Sequence, residues 1–441
     1  MTSRRFGSDS LERSLSVSRR AFALGTISVL ALVSAGCSSA KPPNDASSSA
    51  QAGAKIAPPP GGAPARVLAD KPATKLGGDT IKIGLVSVLE GSPFAANGKR
   101  TVQGAEFAAA QINSNGGVGG KKIELIKQDT RGDVTTTTNI LRKLATQDNV
   151  LAVVGPILSG ECEAGCPVAN ALGLPILSPG VGKAGVVQKA GPFIFHLVAE
   201  DCKHTTASLQ AVVKSKGLSS ISIIKDVKDP VSKFMGDTCF PDLLKAGGLS
   251  PASVETFTSG DSSFAAQVTN LKNKAPQAVI LAAGPADAAR IAVEMQRQNF
   301  TPQLLASGGL QSAGGDFLAA GGKAIDGTIM AAQFDPSPKD SDSAGLIDVF
   351  KKQTGDDVTL NAAYAYDAVY ILVDMMKQGG ITNESSSLKQ DREKIKEGMA
   401  SKVHDWIGMG GPTTLQADGD VQRPAQIATV KDGKMAITVP Q

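Results

Sequence analysis

The sequence predicts an α/β fold built from two parallel-sheet units in tandem. Two observations carry this. Short, almost wholly apolar β-rich runs alternate with amphipathic helical runs from residue 80 onward, and the same rhythm restarts near residue 219. Strands that are apolar on both faces belong to a parallel sheet covered by helices on each side.

Residues 80–88 (TIKIGLVSV) read as the first buried strand. A helix over 99–113 follows, because Val102, Ala105, Ala109 and Ile112 recur every three or four residues. The turn NSNGGVGG leads to a second strand over 121–129. A helix through Leu141 and Leu144 and strands over 150–155 and 174–178 complete the first unit. In the second unit, 219–226 is a strand, 234–245 a helix and 277–284 another strand. The helix after it carries Ala288, Ile291, Ala292 and Met295 on one stripe. Late segments break the alternation. Residues 361–378 form a strong helix, and 426–439 a hairpin turning on Asp432-Gly433.

Ahead of these units lies a segment with the features of an export signal. Ser18-Arg19-Arg20-Ala21-Phe22 fits the twin-arginine pattern, and the apolar run over 21–35 is too short to remain as a membrane span. It ends at Ala35-Gly36-Cys37, which is similar to a bacterial lipoprotein processing site, although Ser34 stands where that pattern has Leu or Val. On this reading residues 1–36 are a signal peptide, Cys37 carries the lipid, and the protein works outside the cytoplasm, anchored to the cell membrane. An ordinary cleaved signal with an incidental cysteine is the alternative. Residues 37–78, rich in Ser, Ala, Pro and Gly, bury too little apolar area to offset ordering entropy and are expected to be a disordered tether.

About 360 residues remain, enough for two separate cores. The net charge of +4 owes much to the Arg-rich leader, no basic run is present, and only 4% of residues are aromatic, so no nucleic-acid partner is expected. Three His residues are a thin supply for acid–base catalysis; no catalytic residue and no cofactor is expected. Besides Cys37, the chain has Cys162, Cys166, Cys202 and Cys239. An even set in an exported protein favours disulfides, and four cysteines allow three pairings, of which Cys162–Cys166 with Cys202–Cys239 is preferred. Zinc held by Cys162, Cys166, Cys202 and His204 is compatible with the spacings, but an oxidising compartment favours disulfides, and no metal is expected.

Several strings, in order, resemble one family. IKIGLVSVLEG, GAEFAAAQINSNGGVGGKKIELIKQD, AVVGPILSG, LPILSPG and NAAYAYDAVYILVDMMKQGG are similar to branched-chain amino-acid-binding proteins, the type I solute receptors of ABC importers. The similarity covers 80–441. It implies two Rossmann-like lobes joined by three crossovers, closing on a ligand by hinge motion. The N-terminal lobe would be 79–197 and 333–405, the C-terminal lobe 198–332 and 406–441, with crossovers near His196, Gln333 and His404.

In parallel α/β sheets a ligand sits at the carboxyl ends of strands, where helix N-termini offer free N–H groups that suit a carboxylate. The loop Gly155-Pro156-Ile157-Leu158-Ser159-Gly160 is such a place. Ser159 matches the family Ser that contacts the amino-acid head group, with Leu158 beside it; a plain helix cap is the structural alternative. The second loop is Ser178-Pro179-Gly180-Val181-Gly182. The family stretch ends in Thr, whose hydroxyl holds the head group, and here that place is Gly182. Loss of one hydrogen bond to a charged group, worth roughly 1.5–3 kcal/mol, weakens binding about tenfold or more. The N–H groups of Gly180 and Val181 are expected to remain as donors, an ordinary amino acid is placed in doubt, and Gly182→Thr is expected to restore its binding. Asn97 matches a pocket-wall position, and Gln311 falls near a family acidic residue that pairs with the ligand ammonium. His196 and Asp201, at the first crossover, read as hinge and surface structure.

The resemblance implies a monomeric, lipid-anchored receptor that passes a small polar or amphipathic ligand (a branched-chain amino acid or a related amide or carboxylate) to ABC permease subunits. ATP would be hydrolysed by those partners, since this chain has no GxxxxGKS/T loop. The alternatives are a sensor signalling to a membrane partner and a hydrolase. The latter lacks a GxSxG elbow around Ser159.

Overall fold

A computed structural model describes residues 76–92, 94–312, 314–338 and 341–440. The first sheet contains β1 (Thr80–Ser87), β2 (Lys122–Asp129), β3 (Ala152–Val154), β4 (Ile176–Ser178) and β5 (Ile194–His196), joined through α1 (Ala95–Ser114), α2 (Val134–Thr146), α3 (Ser159–Ala171) and α4 (Val186–Ala190). All its pairings are parallel, in the order β2-β1-β3-β4-β5. The chain then enters α5 (Asp201–Ser215) and the second sheet. There it runs through β6 (Ile221–Asp226), α6 (Pro230–Phe234), a π turn at Met235–Cys239, α7 (Phe240–Ala246), β7 (Val254–Phe257), α8 (Ala265–Lys274) and β8 (Ala278–Ala282). It continues through α9 (Pro285–Arg297), β9 (Gln303–Ala306), α10 (Gly309–Ser312), α11 (Gly314–Gly321) and β10 (Ile329–Ala332). The parallel part has the order β7-β6-β8-β9-β10, the same winding as the first sheet.

Three helices follow, α12 (Ser341–Thr354), α13 (Leu360–Gly379) and α14 (Leu388–Lys402), and they pack on the first sheet. A small antiparallel sheet comes next, of β11 (Trp406–Gly408), β12 (Gly411–Leu415) and β13 (Val421–Gln422). The hairpin β14 (Gln426–Lys431) and β15 (Lys434–Thr438) finally extends the second sheet antiparallel to β10. Asp432 and Gly433 both have positive φ at its turn, as the Asp-Gly pair allows.

Each sheet has a core on both faces. In the first, Ile83 and Leu85 of β1 face Phe107, Ile112 and α13, whereas Val86 faces Leu141, Leu144 and Cys162. Fully burying one Leu contributes about 1.5–3 kcal/mol. In the second, Ile224, Val279 and Leu281 face Ile291 and Phe317, and Ile223 and Ile280 face Leu209 and Phe240. α13 is buried from Leu360 through Met376 without a solvent face. Several of its polar side chains are paired internally. Tyr366 and Tyr370 hydroxyls both donate to Gln111 Oε1, at 2.7 and 3.1 Å. Asp367 accepts the N–H groups of Met409 and Gly410 at 2.8 Å each. Burial pushes its carboxyl up to about 7, against the pull of Arg423 and those two N–H groups.

Several expectations need correction. The helix expected over 99–113 starts a turn earlier, at Ala95, because a glycine at 98 lets the backbone lie on the Val88 carbonyl where any Cβ would collide. The helix expected over 234–245 is α6, a π turn and α7 in series. Chain packing already holds at Leu76, three residues ahead of the expected linker boundary. Leu76 is buried in the first core, and Gly77 N–H donates to Thr382 O at 2.8 Å. The signal, Cys37 and the tether up to residue 75 lie outside the described residues. Cys162 pairs with Cys166 inside α3 (Cα–Cα 4.7 Å), and Cys202 pairs with Cys239 between α5 and the π turn (Cα–Cα 5.4 Å). His204, of the weighed zinc set, instead faces the Ala332 carbonyl at 2.8 Å. The third crossing also moves. Trp406, Met409, Leu415 and Val421 belong to the first-lobe core, so the chain passes over after residue 422 rather than near His404, and 406–422 leaves the C-terminal lobe.

The three crossings are bonded to one another. Arg423 Nε donates to Leu197 O at 2.7 Å, its Nη1 donates to Gly410 O at 2.8 Å, and its guanidinium lies 3.9 Å over the Tyr364 ring. The Tyr364 hydroxyl donates to Gln333 O. His196 faces Val181 O at 2.6 Å and Asp420 Oδ1 at 3.0 Å, while Lys203 donates to Asp420 Oδ2 at 2.9 Å. Burial pushes the Asp420 carboxyl up, but hydrogen bonds from His196, Lys203 and Val421 N–H outweigh it and hold it well below the usual range. A carboxyl whose folded value is depressed contributes stability above its unfolded value, about 3.9, and loses it as pH falls toward the folded one. Asp420→Asn should therefore lower stability at pH 7 by about 2 kcal/mol. In thermal melts the gap to wild type should close only below about pH 4; a gap that stays constant down to pH 2 would contradict this.

Candidate functional site

The loop after β3 is shaped by Gly155. Its φ of +100 is one that only glycine adopts freely, and any Cβ there would collide with the Val86 carbonyl. The chain thus passes close over β1 and delivers Leu158 as the cap residue of α3 and Ser159 as its first helical residue. Cys162 N–H is the first to find a carbonyl, Leu158 O at 3.1 Å. The N–H groups of Ser159, Gly160 and Glu161 are left without a backbone acceptor, as at any helix start. Glu161 itself is buried, and burial raises its carboxyl against hydrogen bonds from Thr130, Leu158 and Thr137.

The loop after β4 folds onto this helix start. Ser178 Oγ donates to Pro156 O at 2.6 Å and accepts Gly180 N–H at 3.2 Å and Val181 N–H at 3.1 Å. Two expected ligand donors, Gly180 and Val181, are therefore already engaged. The free donor of this loop is the next one: Gly182 N–H has no partner among the described residues. Lys183 N–H donates to Ser159 Oγ at 3.3 Å, which binds the two loops and leaves the Ser159 proton to donate elsewhere. Ser159, Gly160 and Gly182 thus present donors at the junction of the two loops.

On the other side of Gly182 stands the first crossing. A Cβ at 182 would lie 3.1 Å from Asp201 Oδ2 and 3.1 Å from Val198 Cγ1, too close for a Thr side chain to enter without displacing them. The expected gain from Gly182→Thr is withdrawn on this ground. Asp201 N–H donates to Gly182 O at 3.0 Å, and Asp201 Oδ1 accepts Gln333 Nε2 at 3.2 Å from the second crossing. Burial pushes the Asp201 carboxyl up to about 7, with Glu200 adding to the rise and His196 opposing it. The fold thus sets Asp201, read from the sequence as hinge and surface structure, against Gly182 and Gln333.

The remaining candidates divide. Asn97 lies half-buried in the first turn of α1, at the carboxyl edge of the same sheet. Gln311 is committed to the second crossing. Its Nε2 donates to Phe334 O and its Oε1 accepts Gln333 N–H at 2.9 Å, so its amide is spent on the chain and not on a ligand. In the second lobe, Asp226 folds the loop after β6 by accepting Lys228 N–H at 2.8 Å and Ser259 N–H at 3.1 Å. That loop and α6 expose Val227, Val231 and Phe234, and Phe94 is exposed beside α1. Two cavities, about 230 and 450 Å³, flank the crossings around Arg423 and do not include Ser159 or Gly182. The donors of the two loops are the better candidate, since their hydrogen bonds are unmade among the described residues and the two loops are joined by Lys183 N–H to Ser159 Oγ.

The sequence profile of the periplasmic binding protein family matches residues 80–434. BraC3, a Leu/Ile/Val-binding protein of Rhizobium johnstonii, is 26% identical over 322 residues, 72% of this chain and 84% of that one. A leucine-, isoleucine-, valine-, threonine- and alanine-binding protein of Pseudomonas aeruginosa is 22% identical over 74% of this chain and 84% of its own. Among solved structures, the branched-chain amino-acid transporter substrate-binding protein LivJ of Streptococcus pneumoniae, in complex with isoleucine, is similar with a TM-score of 0.69 at 25% identity, over 82% of this chain and 99% of that one. The leucine-binding protein LivK of Thermotoga maritima is alike in fold, with a TM-score of 0.67 at 23% identity over 81% and 98%. With the profile spanning most of the sequence and two sheets wound alike, the chain belongs to the periplasmic binding protein family, in its type I, two-lobed form.

Proposed function

We propose that this protein is an extracytoplasmic solute receptor that captures a small carboxylate-bearing ligand, of the branched-chain amino-acid class or a close relative, and delivers it to an ABC permease. In this reading Cys37 carries a lipid that tethers the receptor to the membrane. The observation that carries it is that the N–H groups of Ser159, Gly160 and Gly182 have no acceptor among the described residues, in two loops joined by the Lys183 N–H bond to Ser159 Oγ. Backbone donors at a helix start bind a carboxylate without a dedicated Lys or Arg. The similarity to BraC3, a Leu/Ile/Val-binding protein, and to LivJ in complex with isoleucine supports it. The exposed Phe94 (51%), Val231 (62%) and Phe234 (40%) supply apolar surface beside the loops after β1 and β6, suited to an aliphatic tail when the lobes close.

Native mass spectrometry of the freshly purified protein should release a bound small molecule bearing a carboxylate; a bound species with no anionic group would overturn this reading. Ser159→Ala should weaken that molecule's binding roughly tenfold by calorimetry, with the melting profile of the fold retained. An unchanged dissociation constant would remove Ser159 from the site.

A further inference from the structure

We propose that His196 is a positioning residue of the site: held as an imidazolium, it orients and polarises the peptide group whose N–H is the Gly182 donor. This rests on the carboxylate reading of the loops given above. The carbonyl of Val181 and the N–H of Gly182 are the two ends of one peptide plane, so a group that binds the carbonyl fixes the direction of the N–H. His196 Nδ1 stands 2.6 Å from that carbonyl oxygen, and its Nε2 stands 3.0 Å from Asp420 Oδ1.

The protonation follows from the partners. A peptide carbonyl can only accept. An ionised Asp420 can only accept as well, and it is surrounded by donors, with Val421 N–H on Oδ1 at 2.8 Å and Lys203 Nζ on Oδ2 at 2.9 Å. A neutral imidazole has one N–H and would turn a lone pair against one of the two oxygens; donation to both needs a proton on each nitrogen. The ring is 2% exposed, so solvent does not stand in for either partner. Backbone register puts it there. His196 pairs with Ser178 across β4 and β5, its own N–H donates to Gly419 O at 3.2 Å, and the loop leaving Ser178 brings Val181 O back to the ring. The other charged groups around it are Glu200 and Asp201 at the start of α5, Asp418, which accepts Asp420 N–H at 3.1 Å, and Arg423, which is bonded to Leu197 O. Lys203 is already held by Asp420, so the ring's cationic form faces carboxyls on two sides.

Hydrogen bonds in series strengthen one another by about 10–30% each in a low-dielectric interior. The series Asp420, His196, Val181 O ends on the one donor of this loop that has no acceptor among the described residues, Gly182 N–H. A buried positive charge thus stands one peptide away from the place of the carboxylate, and reaches it through a backbone dipole instead of a Lys or Arg side chain.

The test is 15N NMR on the full protein freed of any co-purified molecule. At about pH 7 both ring nitrogens of His196 should carry protons, with its signals told from those of His204 and His404 by their loss in His196→Phe. That variant keeps the ring and removes both donors. It should shift the Gly182 amide nitrogen upfield and weaken L-isoleucine and acetate, both read at the Gly182 amide, by at least about threefold. A variant that melts lower but leaves the Gly182 resonance and both affinities unchanged shows a merely structural role and overturns the assignment. Should His196→Phe show no melting transition, the wild-type ring decides: two protonated nitrogens support the assignment and one overturns it. A singly protonated ring leaves the receptor reading standing, since native mass spectrometry tests that reading separately. A wild-type Gly182 amide that neither probe moves overturns the assignment together with this donor's part in the carboxylate reading.

Discussion

A helix that follows a parallel strand begins with N–H groups that none of its own carbonyls can reach, and this unmet demand organises the molecule. Because every strand of the first sheet is parallel, its helix starts collect along one edge. Most of the loop polarity there is consumed internally, Ser178 alone taking two N–H groups and giving one proton. What is left over, at Ser159, Gly160 and Gly182, is a small set of donors with fixed direction. Fixed dipoles of this kind cost no reorganisation when an anion arrives, which is why a receptor needs no lysine at the spot.

The second constraint is that the two lobes have separate cores yet share their crossings. Ile83, Val86 and their neighbours pack within the first lobe, Ile223 and Ile224 within the second. Close-packed cores resist deformation, so relative movement of the lobes is confined to the crossings. Those crossings leave β5 and β10 at their carboxyl ends, and there Asp201 meets both Gly182 and Gln333. The Gly182 loop therefore lies directly against the first crossing, through Asp201 N–H to Gly182 O.

Much of the fold was legible in the sequence because β1 and β8 are apolar runs, β2 and β6 carry Ile- and Leu-rich stretches after turn residues, and α13 is apolar along most of its length. The short strands β5, β9 and β10 were not legible: three or four residues carry no period, and their identity comes from the sheet that receives them. Half-exposed β7 was hidden for the same reason. At the site, Ser159 and Gly182 were readable as loop positions after apolar strands. The engagement of Gly180 and Val181 by Ser178 was not, since a local turn competes for backbone donors without leaving a sequence signature. Asp201 and Gln333 lie 132 positions apart, and no spacing rule links them. The lobe boundary failed similarly, because Trp406 and Val421 join the first core through tertiary packing alone.

The most direct measurement is a crystal structure of the protein with the molecule it carries when purified. The account requires an anionic group of that molecule within about 2.7–3.2 Å of the amide nitrogens of Ser159, Gly160 or Gly182, enclosed between the lobes. Density for the molecule in the cavities beside Arg423, with those amides facing only water, would contradict it.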